Sequence, residues 1–275
     1  MAIITLTTDW KNNDFYIAAV KARILSICHD VNIVDISHSI PSFNTGQASF
    51  IIKNAYKYFP AGTVHIIGIN SVLENGQFHI VVKAHGQYFI GTDNGIFALM
   101  FSENVDEIVR IDQNRPGNMA VNEQAEENTS HGLLFPELEV FTHSAAFLAR
   151  GGHLDELGEK QSTFFRQVPI RATFEESSIN GCVIYIDSYQ NAISNISREL
   201  FYRLKKERPF EIFVQSNFYK INRINQTYNE TSVGELLAVF NSLDLLEIAI
   251  NKGNAAELLG LRLNSEIKVK FYDQA

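Results

Sequence analysis

The chain has 275 residues, 45% of them hydrophobic, and a formal net charge of -8. That length can bury one large core or two ordinary ones without covalent staples, while the acidic balance argues against a nucleic-acid partner. No apolar run approaches the ~18 residues of a membrane span, and Cys28 and Cys182 stand far apart in no paired-ligand spacing, so neither a disulfide framework nor a thiolate metal site is expected.

From Met1 the sequence reads directly into a strand, with no basic segment ahead of an apolar one, so no secretory signal and a cytoplasmic location are expected. Residues 3–8 read as a strand, 15–28 as a helix, 31–36 as a strand, 46–58 as a helix and 64–69 as a strand. Alternation of β-branched runs with longer periodic ones predicts two βαβ units around a central, mainly parallel sheet. A hairpin follows at 78–82 and 87–91, then the turn Thr92-Asp93-Asn94-Gly95, an apolar segment at 96–101 and a strand at 108–111. Residues 112–130 are polar and read as an exposed loop, and 138–150 as the helix that closes the first domain. Beyond it the pattern turns to strands, at 182–186, 210–214, 219–224, 247–250 and 266–271. The expected architecture is an α/β domain over 1–165 and a smaller, all-β, barrel-like domain over 170–275, divided near Pro169. The basic cluster Arg203, Lys205, Lys206 and Arg208 reads as a solvated helix face.

Asp9 follows a strand and precedes a helix, at the edge of the sheet where open α/β folds bind ligands. A carboxylate there can accept from both hydroxyls of a ribose; a helix cap or turn residue is the alternative use. Asp187 and Asn191, at another strand end, form a pair able to meet an ammonium group and a base edge, though both are routine turn formers. Asp93-Asn94-Gly95 reads as a turn. The eight histidines show no HExxH spacing, and His65 and His79 fall within strands, so no zinc site is expected. No GxSxG elbow, phosphate-cradling loop or dinucleotide fingerprint is present.

In order along the chain, Thr5-Leu6-Thr7-Thr8-Asp9, Val34-Asp35-Ile36-Ser37-His38-Ser39, Pro60-Ala61-Gly62-Thr63-Val64-His65, Asp93-Asn94-Gly95, Tyr185-Ile186-Asp187 with Asn191, and Leu246-Glu247-Ile248-Ala249-Ile250-Asn251 form a series. That series resembles the S-adenosylmethionine (SAM) hydroxide adenosyltransferases, a family that also holds the fluorinase and chlorinase. The resemblance runs from residue 3 to about 270 and implies an adenosyl ligand, no other cofactor and no metal. It implies a homotrimer in which neighbouring subunits share the ligand. It places Asp9 at the ribose hydroxyls, Asp187 at the methionine amino group, Asn191 at adenine and Tyr228 stacked on adenine. Ser242 and Asn251 match positions near the methionine carboxylate and the adenine edge.

The catalytic part departs from that pattern. Hydrolytic members carry an aspartate and an arginine seven residues apart after the third strand, and a histidine before the closing helix. Here Asn70 and Gln77 stand at the first two positions and Pro136 at the third, with His131 a substitute only if the alignment is shifted. An amide cannot take a proton at neutral pH and proline has no donor, so the family's usual route is expected to be impaired. The stretches 70–73 and 135–137 do not reproduce a halide pattern, and Glu137 would repel an anion. Three readings stay open: a divergent SAM hydrolase, an adenosyl-binding protein without turnover, and a structural trimer whose pocket has decayed.

Overall fold

Ala2–Thr8, a β-branched run, forms β1, second from one edge of a seven-stranded sheet. Ile4 and Leu6 enter a core on one face, buried Thr5, of the opposite parity, hydrogen-bonds His65, and Thr8 at the strand's end hydrogen-bonds His38, each at 2.7 Å. The computed structural model describes residues 1–101, 104–115 and 134–273. The chain divides into two units, Met1–Pro169 and Ile170–Ala275, each considered by itself.

In the first unit the chain runs from β1 through α1 (Phe15–Ile27) to β2 (Val31–Ser37), then through α2 (Thr45–Ala55) to β3 (Val64–Gly68). The next elements are β4 (His79–Ala84), β5 (Gln87–Thr92), α3 (Ile96–Phe101) and β6 (Glu107–Ile111). A π-helical turn, Glu137–Phe141, leads into α4 (Thr142–Ala149), and β7 (Gly158–Gln161) closes the unit. The strand order is β2-β1-β3-β5-β4-β6-β7. β2, β1, β3 and β5 pair in parallel, but β5-β4, β4-β6 and β6-β7 pair antiparallel. The sheet is therefore mixed rather than mainly parallel, because a tight hairpin returns β5 alongside β4, and β6 and β7 join on the far side of β4 in antiparallel pairs. Val20 and Ile24 of α1 pack with Val140 and Ala145 on one face, and Ala48 and Ile52 of α2 pack with Phe97 of α3 on the other.

The strand order reverses at β1: β2 lies on one side of it and β3 on the other. At such a switch point the loops leaving the strand ends splay to opposite faces and open a crevice. Residues 9–14 and 69–72 leave the carboxyl ends of β1 and β3 at that point.

The second unit holds β8 (Thr173–Glu175), β9 (Ser178–Ile186), β10 (Ala192–Ser197), α5 (Arg198–Lys205), β11 (Phe210–Val214), β12 (Ser216–Ile221), β13 (Leu236–Phe240), β14 (Leu245–Ile250), α6 (Ala255–Leu259) and β15 (Glu266–Phe271). Every named strand pair here is antiparallel, in the order β12-β11-β15-β9-β10-β14-β13. The Asn225 amide donates to Ala238 O at 2.8 Å, joining the chain beyond β12 to β13, so the sheet curls into a nearly closed barrel around Ile179, Phe201, Ile248 and Val269. Cys28 is buried, whereas Cys182 is half-buried with Asn195 Nδ2 against its sulfur. No helix among the described residues is long and apolar enough to cross a membrane.

Candidate functional site

A pocket of about 780 Å³ opens at the switch point of the first unit, and Asp9, Lys11, Phe43, Asn70 and Glu137 line it. Pockets of this size suit a nucleoside-sized ligand. Three edge-packed rings give it an apolar wall: Phe135 stands 5.4 Å from Trp10 and 5.1 Å from Tyr16, centroid to centroid. Asp9 does not cap α1, whose N-cap is Asp14. Instead its Oδ2 accepts the Phe43 amide at 2.7 Å, which ties the end of β1 to the loop after β2. One oxygen is thus partly engaged in the fold, and the carboxylate keeps lone pairs for a further donor.

Backbone strain gathers around this pocket. Lys11 (φ 64), Phe43 (φ 65) and Asn70 (φ 47) all adopt left-handed conformations without being glycine. Each is over-determined by its surroundings: Lys11 N donates to His38 O at 2.8 Å, Phe43 N is held by Asp9, and Asn94 Nδ2 donates to Ile69 O and Asn70 O at 2.9 and 3.2 Å. Strain of this kind costs on the order of 1–3 kcal/mol per residue and collects at ligand sites. The Asp93-Asn94-Gly95 turn therefore serves the pocket indirectly, as the clamp on the Asn70 loop.

Of the positions matched to the missing catalytic set, only Asn70 reaches this pocket. Gln77 closes its own turn, its Oε1 accepting the Glu74 amide at 3.0 Å. Pro136 is buried as the residue before the π-helical turn. His131 lies outside the described residues. Glu137, read from the sequence as an acid that would repel an anion, is buried at 4% exposure in the pocket wall. Its carboxyl is pushed up to about 7, first by desolvation and further by the charge of Asp9. Ser71, beside it, pulls the other way.

His65 is a core residue: its ring joins Thr5 and Gln87, stacks on Phe89 at 4.6 Å, and is held neutral, with burial bringing it down to about 4. His79 Nε2 donates to the Ser71 carbonyl oxygen at 3.0 Å, and burial lowers the imidazole's pKa. No cluster of three or more metal-ligating side chains occurs among the described residues.

A second pocket, of about 750 Å³, lies in the second unit and brings together Asp187, Asn191, Tyr228 and Asn251. Asp187 Oδ1 accepts the amides of Tyr189 and Asn191 at 2.9 and 2.8 Å, and Oδ2 accepts Asn191 Nδ2 at 3.2 Å, so the acid also shapes the β9–β10 hairpin. Tyr228 is 43% exposed and its hydroxyl donates to Glu247 Oε1 at 2.7 Å, while Asn241 Nδ2 donates to Oε2 at 3.0 Å. Burial, then the Glu247 hydrogen bond, holds the phenol well above its ordinary range. Asn251 Nδ2 donates to Thr231 O at 2.7 Å. Ser242 is not brought to this pocket: it is exposed in the turn before β14, and Asn251 follows the other end of that strand.

Residues 4–158 match the model of the SAM hydroxide adenosyltransferase N-terminal domain, and 181–268 that of its C-terminal domain. The (R)-S-adenosyl-L-methionine hydrolase of Methanocaldococcus jannaschii is 28% identical, over 97% of this chain and 95% of that protein. Its namesake from Thermus thermophilus is 26% identical, over 98% and 100%, and the fluorinase of Actinopolyspora mzabensis 24%, over 97% and 96%. The crystal structure of an uncharacterized conserved protein from Thermotoga maritima superposes with a TM-score of 0.82 at 26% identity, covering 98% of this chain and all of that one. Two domain models in the right order, spanning most of the chain around two separate pockets, make this protein a member of the SAM hydroxide adenosyltransferase family.

Proposed function

We propose that the chain binds the adenosyl part of SAM, with Asp9 taking the ribose hydroxyls, and hydrolyses it to adenosine and methionine. The observation that carries this reading is Asp9 itself, a carboxylate at the switch-point edge of β1 in a nucleoside-sized pocket walled by aromatic rings. Membership of the family and the printed activities of the hydrolase relatives support it. In the same proposal Asp187, Asn191, Tyr228 and Asn251 meet the methionine amine and the adenine. The protein works as a homotrimer whose neighbouring protomers share the ligand, an expectation carried by the family resemblance and tested by light scattering.

The amide at Asn70 and the engagement of Gln77 in its own turn favour a second reading, in which the adenosyl group is bound without turnover. Calorimetry with SAM and with adenosine tests binding, and ligand at 100 times Kd should stabilise the fold by ~2.7 kcal/mol. Asp9→Ala removes charged hydrogen bonds worth ~1.5–3 kcal/mol each, a loss of roughly 10- to 100-fold in affinity per bond. Unchanged affinity would remove the ribose assignment, and chromatography for released adenosine separates turnover from binding.

A further inference from the structure

The carboxyl of Glu137 has its place because Gly68 has no side chain. A Cβ at this last residue of β3 would stand 3.1 Å from both Cγ and Oε1 of Glu137 and 3.2 Å from Thr8 Cγ2, closer than ordinary contact. The end of β3 is thus shaped around an acid that the following helix delivers to the same pocket as Asp9. A glutamate this deeply buried is rare unless it is paired, and no cation offsets its burial among the described residues. The rings of Trp10, Tyr16 and Phe135 line the same pocket.

We infer that Glu137 is the proton acceptor for the attacking water, the role that the amides at Asn70 and Gln77 and the proline at 136 cannot fill. This rests on the reading of Asp9 as the ribose anchor. Water attacks the ribose carbon bonded to the sulfonium: a C–O bond forms as the C–S bond breaks. The bonding pair leaves on sulfur, which becomes the neutral thioether of methionine, and the proton lost by the water passes to the Glu137 carboxylate and then to solvent. Adenosine and methionine are the products, and no further reactant is needed.

The groups facing Glu137 define when it can act. Asp9, Asp14 and Lys11 come from the segment after β1, and Tyr16 from α1. Asn70 and Ser71, beyond β3, are uncharged, and His79 of β4 contacts the Ser71 carbonyl. Glu139, on the same helical segment, is paired with Arg23 of α1, next to His143. Burial and Asp9 together bring Glu137 to about 7, the range in which a general base is both deprotonated and basic enough to help.

The test uses the full chain with SAM between pH 5.5 and 9, adenosine release followed by chromatography and adenosine affinity by calorimetry. Wild type should show kcat/KM rising with pH through a midpoint near 7. Glu137→Gln, which keeps the shape, should lower kcat by ~10²-fold or more and abolish that limb while leaving adenosine affinity within about threefold. Gly68→Ala, which crowds the carboxyl, should lower kcat and displace the limb. An undiminished rate or a surviving limb in Glu137→Gln overturns the assignment. So does a wild type that binds SAM and adenosine but releases no adenosine at any pH, which leaves the Asp9 reading intact. A wild type that binds neither ligand sinks both.

Discussion

The Tyr228 hydroxyl donates a 2.7 Å hydrogen bond to Glu247, a β14 carboxyl only 2% exposed. The phenol thereby fixes a ring at the pocket edge and satisfies an acid in the barrel wall. Tyr228→Phe should keep the ring but remove a donor from a buried acceptor, a cost of ~1–3 kcal/mol in denaturant stability with adenosine affinity nearly unchanged. Tyr228→Ala should add a loss of ~1–3 kcal/mol in adenosine binding if the ring stacks on the base. Equal affinities for the two variants would separate Tyr228 from the base.

Glu137 makes a prediction about stability that is independent of catalysis. Its carboxyl rises from an ordinary 4.5 to about 7 in the fold, so the folded state favours the protonated form. That contribution is complete below pH 4.5 and is lost as pH climbs through about 7, a change of up to ~3 kcal/mol. Glu137→Gln should therefore gain stability over wild type between pH 5 and 8, read as the difference of two urea curves. Asp9→Asn should shift the wild-type transition to lower pH by removing a neighbouring charge.

His65 should act in the opposite direction. Burial lowers it from 6.5 to about 4, so its stabilising contribution is present above pH 6.5 and is lost as pH falls through about 4, again by up to ~3 kcal/mol. His79 and His143 are lowered too and add to the same acid sensitivity. An NMR titration should find the His65 ring neutral at pH 5. A protonated ring there would contradict its hydrogen bonds to Thr5 and Gln87.

Ser242 and Asp187 should separate cleanly. Ser242→Ala should leave SAM affinity within about twofold, because the residue sits at the far end of β14 from Asn251. Asp187→Ala removes the acceptor of two backbone amides in the β9–β10 hairpin and should cost ~1–3 kcal/mol of stability in addition to any lost affinity. A marked affinity loss in Ser242→Ala would mean that the ligand reaches beyond the second pocket.

The order of strands and helices in the first unit was legible because β1, α1 and β2 differ plainly in period and length. Pairing direction was legible only in part: the β4–β5 hairpin was expected and is antiparallel, whereas the antiparallel pairs β4–β6 and β6–β7 left no mark in the local pattern. Strand β10, Ala-Ile-Ser-Asn-Ile-Ser, reads locally as turn chemistry, and only the fold uses its Ser194 hydroxyl to bond Leu246 O. The π-helical turn at Glu137–Phe141 was absorbed into one helix, since one extra residue per turn leaves little mark on a short apolar pattern. Asp9 was legible from its place after a strand. Glu137 was not, because an acid in the first turn of a helix is ordinary, and its meaning depends on the missing side chain at Gly68, nearly seventy residues earlier.

The three left-handed residues around Asp9 have a consequence for engineering. Glycine at Lys11 or Phe43 would relax the backbone and so tempt anyone seeking a hardier protein. The same change would let the rim wander while vacant, and a nucleoside would then have to freeze it on arrival. If the rim takes the proposed nucleoside, its rigidity while vacant is maintained at the expense of fold stability, and gains in melting temperature won there should appear as slower capture.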